Sequence, residues 1–536
     1  MAIVYDYIVV GSGATGAQSA QTLIEHGAKV AMLDVGHRDA TYKSLIPDVD
    51  FTTLRKQDIA QNRYLIGDEF EATPWGPVKV GAQLTPPRQF MVRDVERWLP
   101  LRSDTFMPME SLAYGGLGNG WGLGCFVFSD AELDQVGLDR SEMKAAYEVI
   151  SQRIGISGVR DDAAEYTVGG LSQFQGPLHI DSNCQRLYET YQHKRVALKR
   201  MGFAMGQSAM ALLSRDLGKR KATSYHDMDF YADHGLSAYR PWITIDELMS
   251  TKELAYHANC LVLKFEEYGN YVRVLVRRTD TNQQQAFECR KLILASGVLG
   301  TARIVLRSFR AKRRLPLLCN HYCYVPCIQP AMIGKGIEQL RTSMAQLVLC
   351  HDEGLTHSDV AVGCLFSYRS LLLFRLLKEA PLNFSDGRRL MQCLQSSFVI
   401  AGIHHPDSIG THKYVELMDD IESLTGDRLQ AHYTLSDEEA FKTNWRERQY
   451  LKALRTLRCY PIKRVYPGYG ASIHYGGTLP FSADEKAYSI ASNGRVHGSK
   501  RVFVADGSGF RYLPAKGPTF SLMANAHMVA KHALSG

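Results

Sequence analysis

The side chain best suited by type to do chemistry is His474, which opens the stretch HYGGT. A neutral imidazole has a pKa near the working pH and takes a proton from a hydroxyl held within hydrogen-bond reach. Gly476 and Gly477 follow it, and their missing side chains leave room for a ligand beside the ring. A histidine of the core or surface is the plainer reading of the same residue. Other candidates are His404 and His405 at the end of the apolar run SFVIAGI, where strand alternation turns one of the pair to the inner face. Each taken singly reads as a satisfied structural histidine. Lys516 carries a cation that would steady an alkoxide or simply point to solvent.

These residues need elements to hold them, and the N-terminus is the most explicit. An apolar run, Tyr7 to Val10, ends in Gly11, Gly13 and Gly16, the pattern of a strand entering a glycine turn. Ala17, Ala20, Leu23 and Ile24 then share one helical face, Gly27 stands where the helix would end, and a second strand closes with Asp34. Gly11 permits the tight turn, Gly13 lets pyrophosphate approach the backbone next to Ala14, and Gly16 lets helix and strand pack closely. Amides and dipole at the helix start attract phosphate. Asp34, 18 residues beyond Gly16, suits ribose hydroxyls and disfavours a 2′-phosphate. The dinucleotide at this point is NAD or FAD.

The far end of the chain bears on that choice. Val502 to Ala505 reads as a buried strand, with Asp506, Gly507 and Ser508 turning at its end. Gly517 and Pro518 start a last helix, with Thr519 in its first turn and Leu522, Met523, Ala526 and Val529 as its apolar stripe. A second helix start in this region would stabilise the negative charge of a reduced flavin, a need that nicotinamide lacks.

Together with AYGGLGNGWG at 113–122 and LILASGVLGTARIVLRS at 292–308, these segments resemble the glucose-methanol-choline (GMC) family of flavin oxidoreductases. The resemblance covers the first 34 residues, those two stretches and everything from His474 onward, while the centre matches only in layout. It implies an α/β fold: a discontinuous, Rossmann-like FAD-binding domain, akin to p-hydroxybenzoate hydroxylase, with a second α+β substrate lobe containing an antiparallel sheet. By similarity Gly11, Gly13, Ala14, Gly16 and Asp34 hold the ADP half, and Gly115, Gly116 and Asn119 lie along the pyrophosphate and flavin. Val262 meets adenine through its backbone, Ala295 opens the late strand-to-turn element, and Asp506 and Gly507 meet the ribityl and pyrophosphate region. Pro518 and Thr519 begin the helix aimed at the flavin, and Trp121 stacks near the ring or fills the core.

The family's catalytic histidine lies in an H-x-x-G-T turn, matched by His474, Gly477 and Thr478. Some relatives tether FAD through a histidine where this chain has Gly120, so the cofactor is expected to be non-covalent. The family's second histidine or asparagine, just before the last helix, is replaced by Gly517, leaving Lys516 as the nearest polar candidate. The implied activity is oxidation of an alcohol, such as a sugar, polyol or hydroxylated natural-product intermediate, to a carbonyl by hydride transfer to flavin N5 with His474 as base. A flavin-containing lyase or isomerase, or a flavin-bearing partner of a complex that has lost turnover, remains as an alternative, and the electron acceptor is open between oxygen and another molecule.

Composition agrees with an enzyme of this kind. The net charge of +7 over 536 residues is small and scattered apart from patches such as 307–314, which argues against nucleic acid as a partner. The odd count of eleven cysteines suggests reduced thiols and a cytoplasmic setting. Cys319, Cys323 and Cys327 fit no zinc or cluster spacing and read as buried strand residues, so no metal is expected. No apolar run approaches the roughly 20 residues of a membrane span. The nearest, LLLFRLL at 371–377, reads as a core helix with a peripheral membrane contact as the alternative. The expected boundaries are 1–45, 85–135, 230–315 and 470–536 for the FAD domain, and 150–230 with 315–470 for the substrate lobe. A small antiparallel layer beside the parallel sheet is expected from YVRVLVRR at 271–278, and a long surface helix from Ser436 onward.

Overall fold

A computed structural model describes residues 5–71, 84–338, 340–367 and 381–535. The stretch 371–377 lies outside the described residues. The chain is a mixed α/β structure with several sheets.

The strand Tyr5–Val10 enters the helix Ala14–Glu25, which returns the chain to a parallel neighbour, Val30–Leu33. Both strands are buried along nearly their whole length, as expected of parallel strands covered on two faces. Leu254–His257 adds on beyond Val30–Leu33, and the long strand Gln284–Leu294 pairs on the other side of Tyr5–Val10. This long strand does two jobs. Its second half runs parallel to Tyr5–Val10 and to Val502–Val504, while its first half pairs antiparallel with Val272–Arg278. The alternating stretch is therefore continuous with the parallel strands in one sheet, rather than a separate layer.

The C-terminal helix Thr519–Ser535 packs on the N-terminal one, burying Ala17, Ala20 and Leu23 against Ala526, Val529 and Ala530. Small residues on both helices let the backbones approach, and the Tyr7 hydroxyl donates to the Ala533 carbonyl at 2.9 Å. The two ends of the chain thus close a single layer.

A second sheet of six antiparallel strands runs in the order Tyr460–Pro461, His321–Ile328, Phe398–His405, Ala361–Ser367, Leu347–His351, Phe203–Gln207. One face is covered by the helices Ser182–Arg200 and Asp437–Thr456, over a core that includes Cys323 and Cys327. Cys319, Cys323 and Cys327 are all buried. The helix Asp437–Thr456 starts with a capping box between Ser436 and Glu439, but it is not simply a surface helix. Its inner face buries Arg446, Glu447, Tyr450, Ala453 and Leu454. The opposite face of the sheet is turned toward the parallel layer, and the space between them is the large cavity described next. Among the described residues no helix is long and apolar enough to cross a membrane.

Candidate active site

A cavity of about 2000 Å³ runs from the glycine turn after Tyr5–Val10 to the open face of the antiparallel sheet. Pockets for a single small ligand span roughly 300–1,000 Å³, so this one has room for more than one group.

At one end the backbone is shaped by its glycines. Gly11 has φ +95°, and a Cβ there would lie 2.7 Å from the Ala295 carbonyl oxygen. A Cβ on Gly16 would collide with the Gly11 carbonyl oxygen, so this glycine serves helix–strand contact and does not face the cavity. At Gly13 a Cβ would meet nothing within 4 Å, because that position opens on the cavity. The helix beginning at Ala14 has no side-chain cap and no acid in its first turn. Its first amides and its dipole are left for an anion on the cavity side.

Asp34 borders the same end, with Oδ2 accepting from the hydroxyls of Ser12 and, at 3.0 Å, Tyr256. Burial raises its carboxyl to about 6 against the pull of those hydrogen bonds. Val262 and Ala295 also border the cavity, Val262 at a bulge in its strand. Gly116 lies against the turn, where a Cβ would approach the Gly13 Cα at 3.2 Å. Trp121 faces the cavity with its indole N–H held by the Tyr239 carbonyl at 2.9 Å.

Two expected residues of this loop are elsewhere. Gly115 donates its amide to Ser12 at 2.8 Å, and Asn119 donates to the Tyr114 and Gly116 carbonyls at 2.8 and 2.9 Å. Neither reaches the cavity wall. A loop of flexible glycines needs an internal brace, and the Asn119 amide supplies it.

Deeper in, Asp506, Gly507, Pro518 and Thr519 form the wall. Both Asp506 oxygens are engaged, one by the Thr301 hydroxyl at 2.6 Å and the other by the Ser508 amide and hydroxyl at 3.0 and 2.6 Å. Burial pushes its carboxyl above the ordinary range. Lys516 departs from expectation. Its neighbours Ala515 and Gly517 face the cavity, but its ammonium is buried on the other side, donating to Glu132 at 2.6 Å and to the Val127 carbonyl at 2.8 Å. A buried cation without a partner would be costly, and Glu132 provides the partner away from the site.

His474 stands at the cavity wall between the two sheets. The residue before it, Ile473, has φ +61°, a conformation that costs a β-branched residue about 1–3 kcal/mol. The Ile473 amide is tied to the Gly470 carbonyl at 3.1 Å. The imidazole Nδ1 lies 3.0 Å from Asn320 Oδ1. Asn320 Nδ2 faces three carbonyls, those of His405, Leu513 and Pro514, at 2.9, 3.2 and 3.1 Å. An amide nitrogen can only donate to these, so Oδ1 must be the atom facing His474. Nδ1 therefore carries the hydrogen and Nε2 keeps its lone pair. Burial pulls this imidazole down to about 4, which keeps it neutral near pH 7. His404 stacks on it with ring centroids 5.1 Å apart, and Tyr322 lies tilted against His404 at 4.6 Å. Of the two adjacent histidines, His404 faces the cavity and His405 the opposite side of the sheet.

Asn320 was not foreseen from the sequence. It is one polar residue in the apolar run LLCNHYCYV, 154 residues from His474, and no local pattern links the two.

The comparisons with known proteins point the same way as this arrangement. A family model described as GMC oxidoreductase matches residues 412–526. The chain is also similar to the 6'''-hydroxyparomomycin C oxidase of Streptomyces lividus, 21% identical over 541 aligned residues that take in 98% of this chain and 90% of that protein. Both findings support membership of the GMC oxidoreductases and an enzyme of the oxidoreductase class that acts on CH–OH donors.

Proposed function

We propose that the chain binds FAD non-covalently in a Rossmann-like layer and oxidises an alcohol to a carbonyl, with His474 as the general base. The observation that carries the reading is the His474 imidazole: neutral, fixed by Asn320 at Nδ1, and offering Nε2 at the wall of the cavity.

The residues present fit a dinucleotide. Gly13 is open to the cavity, the helix start beside it is uncapped, and Asp34 stands at the end of the second strand. Gly11, Gly13 and Ala14 would take the pyrophosphate, Asp34 the adenosine ribose, and Val262 the adenine edge. Gly116, Trp121, Ala295, Asp506, Gly507, Pro518 and Thr519 border the remainder. When bound, the flavin would accept the hydride that leaves the carbinol carbon. The segments 1–45, 85–135, 230–315 and 470–536 would form this half, and 150–230 with 315–470 the substrate half.

The chain's own part is to orient the alcohol and take its proton. The hydroxyl hydrogen goes to His474 Nε2, and the new positive charge is shared with the Nδ1–H···Oδ1 contact to Asn320. With Lys516 turned away and Gly517 lacking a side chain, the stacked His404 is the polar side chain that accompanies His474 at the cavity wall. The cavity face of the antiparallel sheet presents Tyr322, Tyr324, Val362, Phe366, Phe398 and Ile400, with no carboxylate among them. Such a wall favours an alcohol carried on a ring, a sugar or a hydroxylated natural-product intermediate, over a small linear polyol.

The test is an anaerobic screen of alcohols against the purified flavoprotein, followed by absorbance. His474→Ala should keep its flavin and reduce it about 100-fold or more slowly. Unchanged reduction kinetics, or a protein that takes up no FAD, would sink the proposal.

A further inference from the structure

The antiparallel sheet carries a second cluster of ligand-type side chains on the face turned away from the cavity. His321 opens the strand His321–Ile328, His405 ends the strand Phe398–His405, and the two are paired directly in register. Glu447, from the middle of the helix Asp437–Thr456, lies against them. One donor atom from each of the three falls within 4.8 Å of the others, and His405 Nε2 is 3.7 Å from Glu447 Oε1. At 3.7 Å this is too long for a hydrogen bond.

Four of the cluster's ligand-type atoms lack a hydrogen-bond partner in the protein. His405 and Glu447 are each only 1% exposed. Yet His321 Nδ1, both ring nitrogens of His405 and Glu447 Oε1 have no hydrogen-bond partner. Buried polar atoms are almost always paired, and each one left alone costs about 1–3 kcal/mol. The other oxygen of Glu447 is fully used: Oε2 accepts from the Tyr466 hydroxyl and from Arg464 Nη1 at 2.9 Å. Those two contacts hold the carboxylate so that Oε1 faces the histidines.

We propose that His321, His405 and Glu447 bind a divalent transition-metal ion, with zinc as the best match. Two imidazoles and one carboxylate, with a fourth position for water, are a common zinc donor set. For bonds of about 2.0–2.2 Å the ligand atoms of a tetrahedral site stand about 3.4 Å apart, so the 3.7 Å pair is nearly in place. Closing the rest takes side-chain movement on the order of 1 Å. Arg464 offsets the charge of Glu447, so the site selects through imidazole affinity rather than net negative charge. That favours zinc or a neighbouring first-row ion over calcium or magnesium. An ion reaches the cluster from the side of Tyr466, which is 49% exposed.

The place of the cluster gives it a role. Asn320, which holds His474, is adjacent to His321 and donates to the His405 carbonyl. His404, stacked on His474, is adjacent to His405. A metal would pin the two strand ends on which the candidate base is mounted, so its three ligands are positioning residues.

The experiment uses the full-length flavoprotein, stripped with chelator, loaded with Zn²⁺, freed of excess ion and assayed for metal by mass spectrometry. About one zinc per chain is expected, with a rise in melting temperature on reloading. Glu447→Gln should fall to background, and Tyr466→Phe, which removes only the support, should bind about 10- to 100-fold more weakly. If Glu447→Gln does not fold, Co²⁺ added to the stripped wild type decides, because tetrahedral cobalt absorbs at longer wavelength than flavin. Zinc at background in the wild type, zinc retained equally by both variants, or cobalt without a tetrahedral spectrum would overturn the proposal. Metal content is read without turnover, so failure here leaves the flavin reading intact, and the reverse.

Discussion

Asn320 offers the sharpest test of how the candidate base is set. Replacing it by alanine leaves the His474 Nδ1–H without its acceptor in a half-buried position, and frees the carbonyls of His405, Leu513 and Pro514. An orphaned buried donor costs about 1–3 kcal/mol. The ring can avoid that cost only by changing tautomer or rotating, and either move takes the Nε2 lone pair from its place. At about 1.36 kcal/mol per tenfold in rate, the expected loss is roughly 5- to 150-fold in anaerobic flavin reduction. Stopped-flow absorbance measures it, with the alcohol that reduces the wild-type protein and rates normalised to bound flavin. A purely structural role for Asn320 would lower the melting temperature and leave the normalised rate alone. A variant with full flavin and a reduction rate within about twofold of wild type would refute the tautomer argument.

Three further expectations follow from the same geometry. Because burial lowers the His474 pKa from the usual 6.5 to about 4, the imidazole stays unprotonated as the medium is acidified, and flavin reduction should hold level from neutral pH to about pH 5, declining only nearer 4; a decline centred near 6.5 would contradict this. Lys516→Met leaves Glu132 buried without its cation and should cost about 3–5 kcal/mol by denaturant unfolding, while the flavin-normalised rate is kept; a stable variant with lost turnover would return Lys516 to the site. Gly16→Ala, whose Cβ meets the Gly11 oxygen, should destabilise the flavin-free protein by about 1–3 kcal/mol, whereas Gly13→Ala, open to the cavity, should leave its stability unchanged and weaken FAD retention; equal behaviour of the two in calorimetry and FAD titration would count against the assigned roles.

Much of the site's layout was legible because its signals are local. The strand, glycine turn, helix and second strand occupy the first 34 residues, and each glycine is explained by a contact inside that unit or by the opening at Gly13. The HYGGT turn is equally compact, and alternation along SFVIAGI correctly sent one histidine inward, although it did not say which. Legibility ended where the outcome hung on a partner. Lys516 and Gly517 are neighbours, yet only one faces the cavity, because Glu132 stands on the other side to take the charge. Asn119 braces its own loop because two carbonyls there need a donor.

The sequence by itself determined the periods and turns: which stretches are strands or helices, where the backbone must bend, and which side chains are chemically able to act. Only the tertiary structure decided which of those side chains meet. His474 finds Asn320 at a separation of 154 residues, and His321, His405 and Glu447 converge from two strands and a helix. Backbone preference is set by near neighbours, whereas proximity of distant groups follows from how whole sheets and helices bury their apolar faces, and no local pattern carries that information.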